Sequence, residues 1–415
     1  ATPTTISACL GTLTATSAST SYVTVTGGAS TSSAASGTAV TITYKGIAYT
    51  TGTNITVAYV PTDTTNCNSA SSKTFTASVT RITPTISLEA RTATYTGSAI
   101  AANAATTNSN GTKSYTYYNG ESCSGTALTS APTNAGTYSV KATVAQTGQY
   151  ASATSSCVKH TISKATPTVT LSASNGSVNY NATKSFTATP SSSPAVNGTW
   201  TVTSGNTTNV TITAGNNATA TNGSATTITY KGAQATTTAV TITVRFNPSD
   251  TTNYNTASKT YSVTAVNKLS TTINVNEQTL TYNGSQRAAT GSATSGATVT
   301  YTYYSDSSCA NKTTTAMSGG SSTGLAPKNY GTYYVTATTA GNTNYNTTSK
   351  GCTKAVVINK AENTLTLSSN AATYKYPTAG SFTYTYTGDG SVSCSSSSTS
   401  IATCTVDKTN KGLAK

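Results

Sequence analysis

Short runs in which β-branched or aromatic residues alternate with Thr and Ser recur along the whole chain, separated by Gly, Asn and Pro. Thr41-Ile42-Thr43-Tyr44-Lys45-Gly46, Thr199-Trp200-Thr201-Val202 and Val240-Thr241-Ile242-Thr243-Val244 are representative. Successive side chains of a strand point to opposite faces, so such runs predict strands with one buried and one wet face. No stretch holds a 3.6-residue apolar period for three turns, and helices are not expected. The chain is predicted to be all-β.

The runs repeat in a longer order. Ala93-Thr94-Tyr95-Thr96-Gly97 returns as Leu280-Thr281-Tyr282-Asn283-Gly284, and Asn134-Ala135-Gly136-Thr137-Tyr138 returns as Asn329-Tyr330-Gly331-Thr332-Tyr333. Two unlike modules alternate: a Tyr-rich type A at residues 84–164 and 267–360, and a type B at 165–266. Residues 1–83 match only the later strands of B, and residues 361–415 only its early strands. A period of this length means separate cores on a string. The complete B carries seven strand-like runs spaced by turn residues, which fits an immunoglobulin-like β-sandwich. Between modules the chain runs straight through joints such as Ser163-Lys164-Ala165-Thr166-Pro167, with no Gly/Ser tether. Short extended joints, some carrying Pro, predict an elongated rod.

The two partial B modules allow three readings. The chain is an internal slice of a longer array, or its ends complete each other between molecules into filaments, or one end is disordered. Residues 1–30 and 386–415 both correspond roughly to 188–219 of the complete B, and this overlap favours the slice. The sequence shows no signal peptide, and its single Met is Met317, so it reads as a mature or internal piece.

Composition narrows the function. Charged residues make up 8% of the chain, and the net charge is +14 because acids are scarce, 9 against 23 Lys+Arg. The basic residues are scattered singly, as at Lys45, Lys113, Lys141, Lys184, Lys231 and Lys259. A nucleic-acid surface concentrates them and interleaves stacking aromatics, so no nucleic-acid partner is expected. Lysines that guard exposed strand edges account for the pattern, and a weak attraction to glycans or anionic cell-surface polymers is the residual binding expectation. No apolar stretch approaches the length of a membrane span.

Eight cysteines without a Cys-x-x-Cys spacing, beside one His, argue against a metal site. Each A module has a Cys after its Tyr-rich strand and another near its last strand, which pairs Cys123 with Cys157 and Cys309 with Cys352. Cys394 and Cys404 lie ten apart across a Ser-rich turn and are expected to close a hairpin. Cys9 and Cys67 are left over. An even count in regular places implies an oxidising, extracytoplasmic setting.

Candidate chemistry is thin. Tyr138 and Tyr333 follow a turn and open a strand, where a phenol bonds back to the corner backbone as a tyrosine corner. Tyr115, Tyr117, Tyr118, Tyr301, Tyr303 and Tyr304 alternate on strands and are expected to pack across the sheet, with stacking on sugars as the alternative for outward ones. Trp200 sits where a sandwich buries a strand-C Trp, with Leu13 at that place in the partial copy. His160 has no Asp or Cys pair nearby and is expected at the surface. Asp63 and Asp250 occupy matching turns and are read as turn caps, since one carboxylate is poor provision for calcium. No carboxylate pair and no Ser-His-Asp or Cys-His set exists, so neither catalysis nor a cofactor is expected. Sequons such as Asn110, Asn181, Asn206 and Asn217 are no more frequent than chance in so Ser/Thr-rich a chain.

The A pattern, Thr-Tyr-x-Gly, then a Tyr-rich strand and Ser-Cys, then Pro-x-Asn-x-Gly-Thr-Tyr, resembles bacterial immunoglobulin-like repeats. The B pattern, with Pro-x-Asp-Thr-Thr-Asn-Tyr before its last strand, looks like a sister type. The resemblance implies a secreted or surface-anchored protein of the kind that builds stalks, adhesins and surface layers. The expected function is therefore a non-enzymatic extracellular stalk or filament, with a glycan- or protein-binding adhesin as the alternative.

Overall fold

A computed structural model of the chain describes residues 1–3, 9–34, 37–312, 326–387, 390–406 and 413–414. Among the described residues every regular element is a strand. Met317 lies outside them.

Residues 165–266 form a complete two-sheet sandwich. One sheet runs in the order Thr168–Leu171, Thr183–Ser191, Thr226–Gly232, Val210–Ala214. The other runs Asn175–Asn179, Ala257–Asn267, Val240–Pro248, Gly198–Ser204, Thr219–Ala220. This is the strand arrangement of an immunoglobulin-like domain. Alternation explains the core: Val240, Ile242, Val244 and Phe246 are buried while the intervening Thr241 and Arg245 face water. The inner faces meet through Phe186, whose ring stacks on Tyr261 at 4.1 Å, and through Trp200, which packs on Phe246. The structure has nine strands here rather than seven. The two additions are the edge pieces Asn175–Asn179 and Thr219–Ala220. The first pairs in parallel with the last strand across a long sequence separation, which no local pattern announces.

The A-type segments use the same principle with less sheet. In residues 84–164 the main sheet is Lys113–Asn119, Gly136–Val144, Val158–Ser163 and Arg91–Thr94, the last pair parallel. The opposite layer is reduced to Ile86–Ser87 with Thr106–Thr107. An irregular stretch fills the remainder, and tyrosines hold it. The Ala102 and Ala105 amides donate to the Tyr117 and Tyr115 phenols at 2.8 and 2.9 Å. In the second copy Ala289 donates to Tyr303 at 2.8 Å. The phenols satisfy backbone groups that a full sheet would otherwise pair.

His160 is corrected by the structure: it is fully buried, with its ring edge-on to Tyr117 at 5.7 Å. It shares strand parity with Val158 and Ile162, so it faces the core. Desolvation by burial is the main cause that pushes its pKa below the ordinary value of 6.5. The folded state then binds fewer protons than the unfolded one. Stability of residues 84–164 is therefore flat above about pH 6.5 and falls below it, until the lowered folded pKa is passed. Thermal melts between pH 8 and 5 are expected to show this loss, and His160→Phe is expected to flatten it. An unchanged slope in that variant refutes the assignment.

The terminal segments form smaller sheets than residues 165–266. Residues 9–79 form the sheet Ser30–Ala34, Gly11–Ser17, Thr50–Pro61, Ala70–Val79 and the pair Val23–Gly27 with Thr43–Gly46. Residues 361–387 contribute Leu365–Leu367 paired with Phe382–Tyr386, to which Leu413–Ala414 adds two bridges.

Candidate functional site

No group of His, Cys, Asp and Glu among the described residues is arranged to hold a metal, and no helix there is long and apolar enough to cross a membrane. What recurs with fixed geometry is structural. The structure joins Cys123 to Cys157, Cys309 to Cys352, Cys394 to Cys404 and Cys9 to Cys67. Cys123 and Cys309 sit at φ 48° and 52°, the left-handed region, at the turn that follows the Tyr-rich strand. Tyr138 Oη donates to the Asn134 carbonyl at 3.0 Å, and Tyr333 Oη to Asn329 at 3.1 Å. Each bond closes the corner four residues back.

The second recurring device lies between segments. Each linker residue is bracketed by two backbone hydrogen bonds to a turn of the segment that follows. Ile82 donates to Gln149 at 2.8 Å and accepts from Ala151 at 2.9 Å. Ala165 donates to Asn253 at 2.9 Å and accepts from Asn255 at 2.8 Å. Leu269 donates to Asn344 and accepts from Asn346, both at 2.9 Å. The preceding residue is basic each time and caps the same turn. Arg81 Nε, Lys164 Nζ and Lys268 Nζ donate to the carbonyls of Gly148, Thr251 and Asn342 at 3.2, 2.6 and 2.7 Å.

The turn also reaches back to the segment before it. Asn253 Oδ1 accepts from the Ala135 amide at 2.7 Å, and its Nδ2 lies 3.3 Å from Asn134 Oδ1. Asn344 Oδ1 accepts from Ala235 at 2.9 Å. Aromatic edges accompany these bonds: Tyr254 on Tyr95 at 5.4 Å and Tyr345 on Tyr180 at 5.9 Å. At the first joint, where Gln149 stands in place of Asn, Arg81 instead lies 3.5 Å over the Tyr49 ring.

Asp250 makes the turn rigid. Its carboxylate accepts from the Thr252 and Asn253 amides and from Asn253 Nδ2, at 3.0, 3.0 and 2.8 Å. Asp63 does the same for Thr65 and Asn66, at 3.0, 3.1 and 2.8 Å. The Asn side-chain amide is the first cause holding both carboxyls below their usual pKa range. In residues 9–79 a disulfide replaces one part of the device. Tyr254 Oη donates to Pro194 O at 2.7 Å, whereas Cys67, at Tyr254's place, is bonded to Cys9.

Lys164-Ala165 and the Asp-Thr-Thr-Asn turn that begins at Asp250 lie more than eighty residues apart, and no local pattern announces that they meet. The available signal was the recurrence of a basic residue at each module boundary together with an Asn or Gln before each Tyr150-type tyrosine.

A family model described as MBG domain matches residues 84–166. No curated protein matches the chain. Among solved structures, domains 4 and 5 of the S-layer protein SbsC align at 18% identity, covering 37% of this chain and 76% of that one, with a TM-score of 0.20. Immunoglobulin domains 1–5 of Sidekick-1 align at 9% identity, covering 91% and 78%, with a TM-score of 0.21. A longer SbsC structure aligns at 13% identity, covering 78% and 44%, with a TM-score of 0.22. Superpositions at this level decide neither domain arrangement nor function. The family match covers residues 84–166, the sheet order of residues 165–266 is that of an immunoglobulin-like β-sandwich, and the described chain is all-β throughout.

Proposed function

We propose that the chain is a non-enzymatic extracellular structural protein, a stalk or filament of tandem immunoglobulin-like domains with boundaries at 1–83, 84–164, 165–266, 267–360 and 361–415. The recurring joint carries this reading. A linker zipped to the following turn, and a turn bonded back to the preceding segment, leave little freedom for one sandwich to swing on the next. Four disulfides fit an oxidising setting outside the cytoplasm. Self-association through end-to-end completion of the two partial B segments belongs to the same reading. Of the tyrosines on the Tyr-rich strands, Tyr117, Tyr301, Tyr303 and Tyr304 are buried while Tyr115 and Tyr118 are half-buried, so an adhesive role rests on the latter two alone.

Small-angle scattering of the monomer tests the proposal. With strands of about 6–10 residues at ~3.3 Å rise, each domain advances roughly 35–40 Å, and a maximum dimension on the order of 150 Å is expected. A compact or widely flexible particle sinks it.

A further inference from the structure

We propose that each of the interior segments, 84–164, 165–266 and 267–360, is a shear clamp against tension along the chain, and that the disulfides of the A type limit how far it lengthens once its clamp gives way. The direction of the load rests on the stalk reading above. Each of these segments has chain on both sides, so a pull enters through the linker before it and leaves through the linker after it.

In all three the entering chain lies beside the leaving chain and runs the same way. The linker makes the first parallel bridge: Ile82 with Tyr150, Ala165 with Tyr254 and Leu269 with Tyr345. The chain then crosses to the opposite layer, where Ile86–Ser87, Thr168–Leu171 and Ile273–Asn276 pair antiparallel. It returns as Arg91–Thr94, Asn175–Asn179 and Gln278–Thr281, each parallel to the last strand of its own segment. The ladder closes at the same place every time. The amides of Tyr95, Tyr180 and Tyr282 donate to the carbonyls of Ser163, Asn267 and Asn359 at 2.9, 2.8 and 2.8 Å. The residue after each acceptor is Lys164, Lys268 or Lys360, where the next linker begins. Side chains cross the same strand pair in two segments: Asn267 Nδ2 donates to Asn179 Oδ1 at 3.2 Å, and Lys354 Nζ lies 2.6 Å from Glu277 Oε1.

Parallel neighbours held from opposite ends slide along their common axis when pulled. Every hydrogen bond between them then carries load at once, and the pair slips as a whole. A hairpin pulled from its two adjacent ends opens one bond at a time instead. Forced unfolding follows the unfolding rate rather than equilibrium stability. A segment with a small core, such as residues 84–164, thus resists extension through its ladder.

The disulfides sit behind the clamps. Cys123–Cys157 lies inside the stretch between Thr94 and His160, and Cys309–Cys352 inside that between Thr281 and Val356. When a ladder slips, the 34- and 43-residue separations closed by these bridges stay closed. Residues 165–266 contain no cysteine and lengthen without a stop. The chain therefore alternates short and long extensible units.

Single-molecule stretching of the full chain tests this. Each interior segment is expected to give way in one abrupt rupture. Reductant is expected to add roughly 110–120 Å to the lengthening of residues 84–164 and roughly 140–155 Å to that of residues 267–360, at ~3.3–3.6 Å per extended residue over 34 and 43 residues, and nothing to that of residues 165–266. Tyr282→Pro removes the amide that bonds Asn359, whereas Tyr282→Ala keeps it. Thr281 is already in a strand, as a residue before proline requires. Under a fixed load, residues 267–360 are expected to rupture about tenfold sooner in Tyr282→Pro than in Tyr282→Ala, with residues 165–266 as an unaltered internal reference. Gradual extension of the interior segments overturns the clamp, and so do equal rupture times in the two variants. A-type lengthening that ignores reductant overturns the limit. The unsubstituted chain decides the first and last of these even where the proline variant does not fold. Sharp ruptures from a chain that scatters as a compact particle keep the clamp and lose the stalk; gradual extension of an elongated rod does the reverse.

Discussion

Replacing Trp200 with Ala is expected to cost the sandwich of residues 165–266 about 3–5 kcal/mol and to lower its melting temperature by about 15 °C or more. The indole is wholly buried against Phe246, at the centre of a core that also contains Phe186, Ile242 and Tyr261. No smaller side chain fills that volume, and two hydrogen-bonded sheets cannot collapse onto the void. Trp200→Phe is expected to recover more than half of the loss, because it restores a ring and removes an indole N–H that has no hydrogen-bond partner. Calorimetry of the whole chain measures both. A transition that shifts by only a few degrees in Trp200→Ala refutes the packing described for this core.

Removing the Cys123–Cys157 bridge is expected to destabilise residues 84–164 by about 4 kcal/mol, through the freedom returned to the unfolded loop. The bridge spans 34 residues, and the core it supports is small: Leu88, Ala105, Tyr117, Val140 and Ala142 are its buried members. The same reduction leaves residues 165–266 untouched, since they contain no cysteine. Trp200 is the chain's single Trp, so its fluorescence reports on that sandwich alone. Under reductant the Trp200 transition is expected to hold its midpoint while the A-type segments melt earlier. A Trp200 midpoint that moves together with the others refutes independent cores.

These two results separate what was legible in the sequence from what was not. Val240-Thr241-Ile242-Thr243-Val244 announces a half-buried strand because alternation is a property of the local backbone. Tyr333 announces a corner because its partner, the Asn329 carbonyl, is four residues away. His160 was misplaced by residue type, although its parity with Val158 and Ile162 pointed inward. Asn175–Asn179 was missed because its partner lies in Ala257–Asn267 and pairs in parallel.

The joint shows the same division. Sequence alone determined an all-β chain, and its recurring motifs pointed to two alternating modules. Period-two patterning and repetition are encoded residue by residue, so they survive without a fold. Tertiary structure decided which residues meet. It set Lys164 and Asn253 on opposite sides of one joint and buried His160. Burial and long-range hydrogen bonding depend on the packing of distant segments, and a linear pattern does not contain that distance.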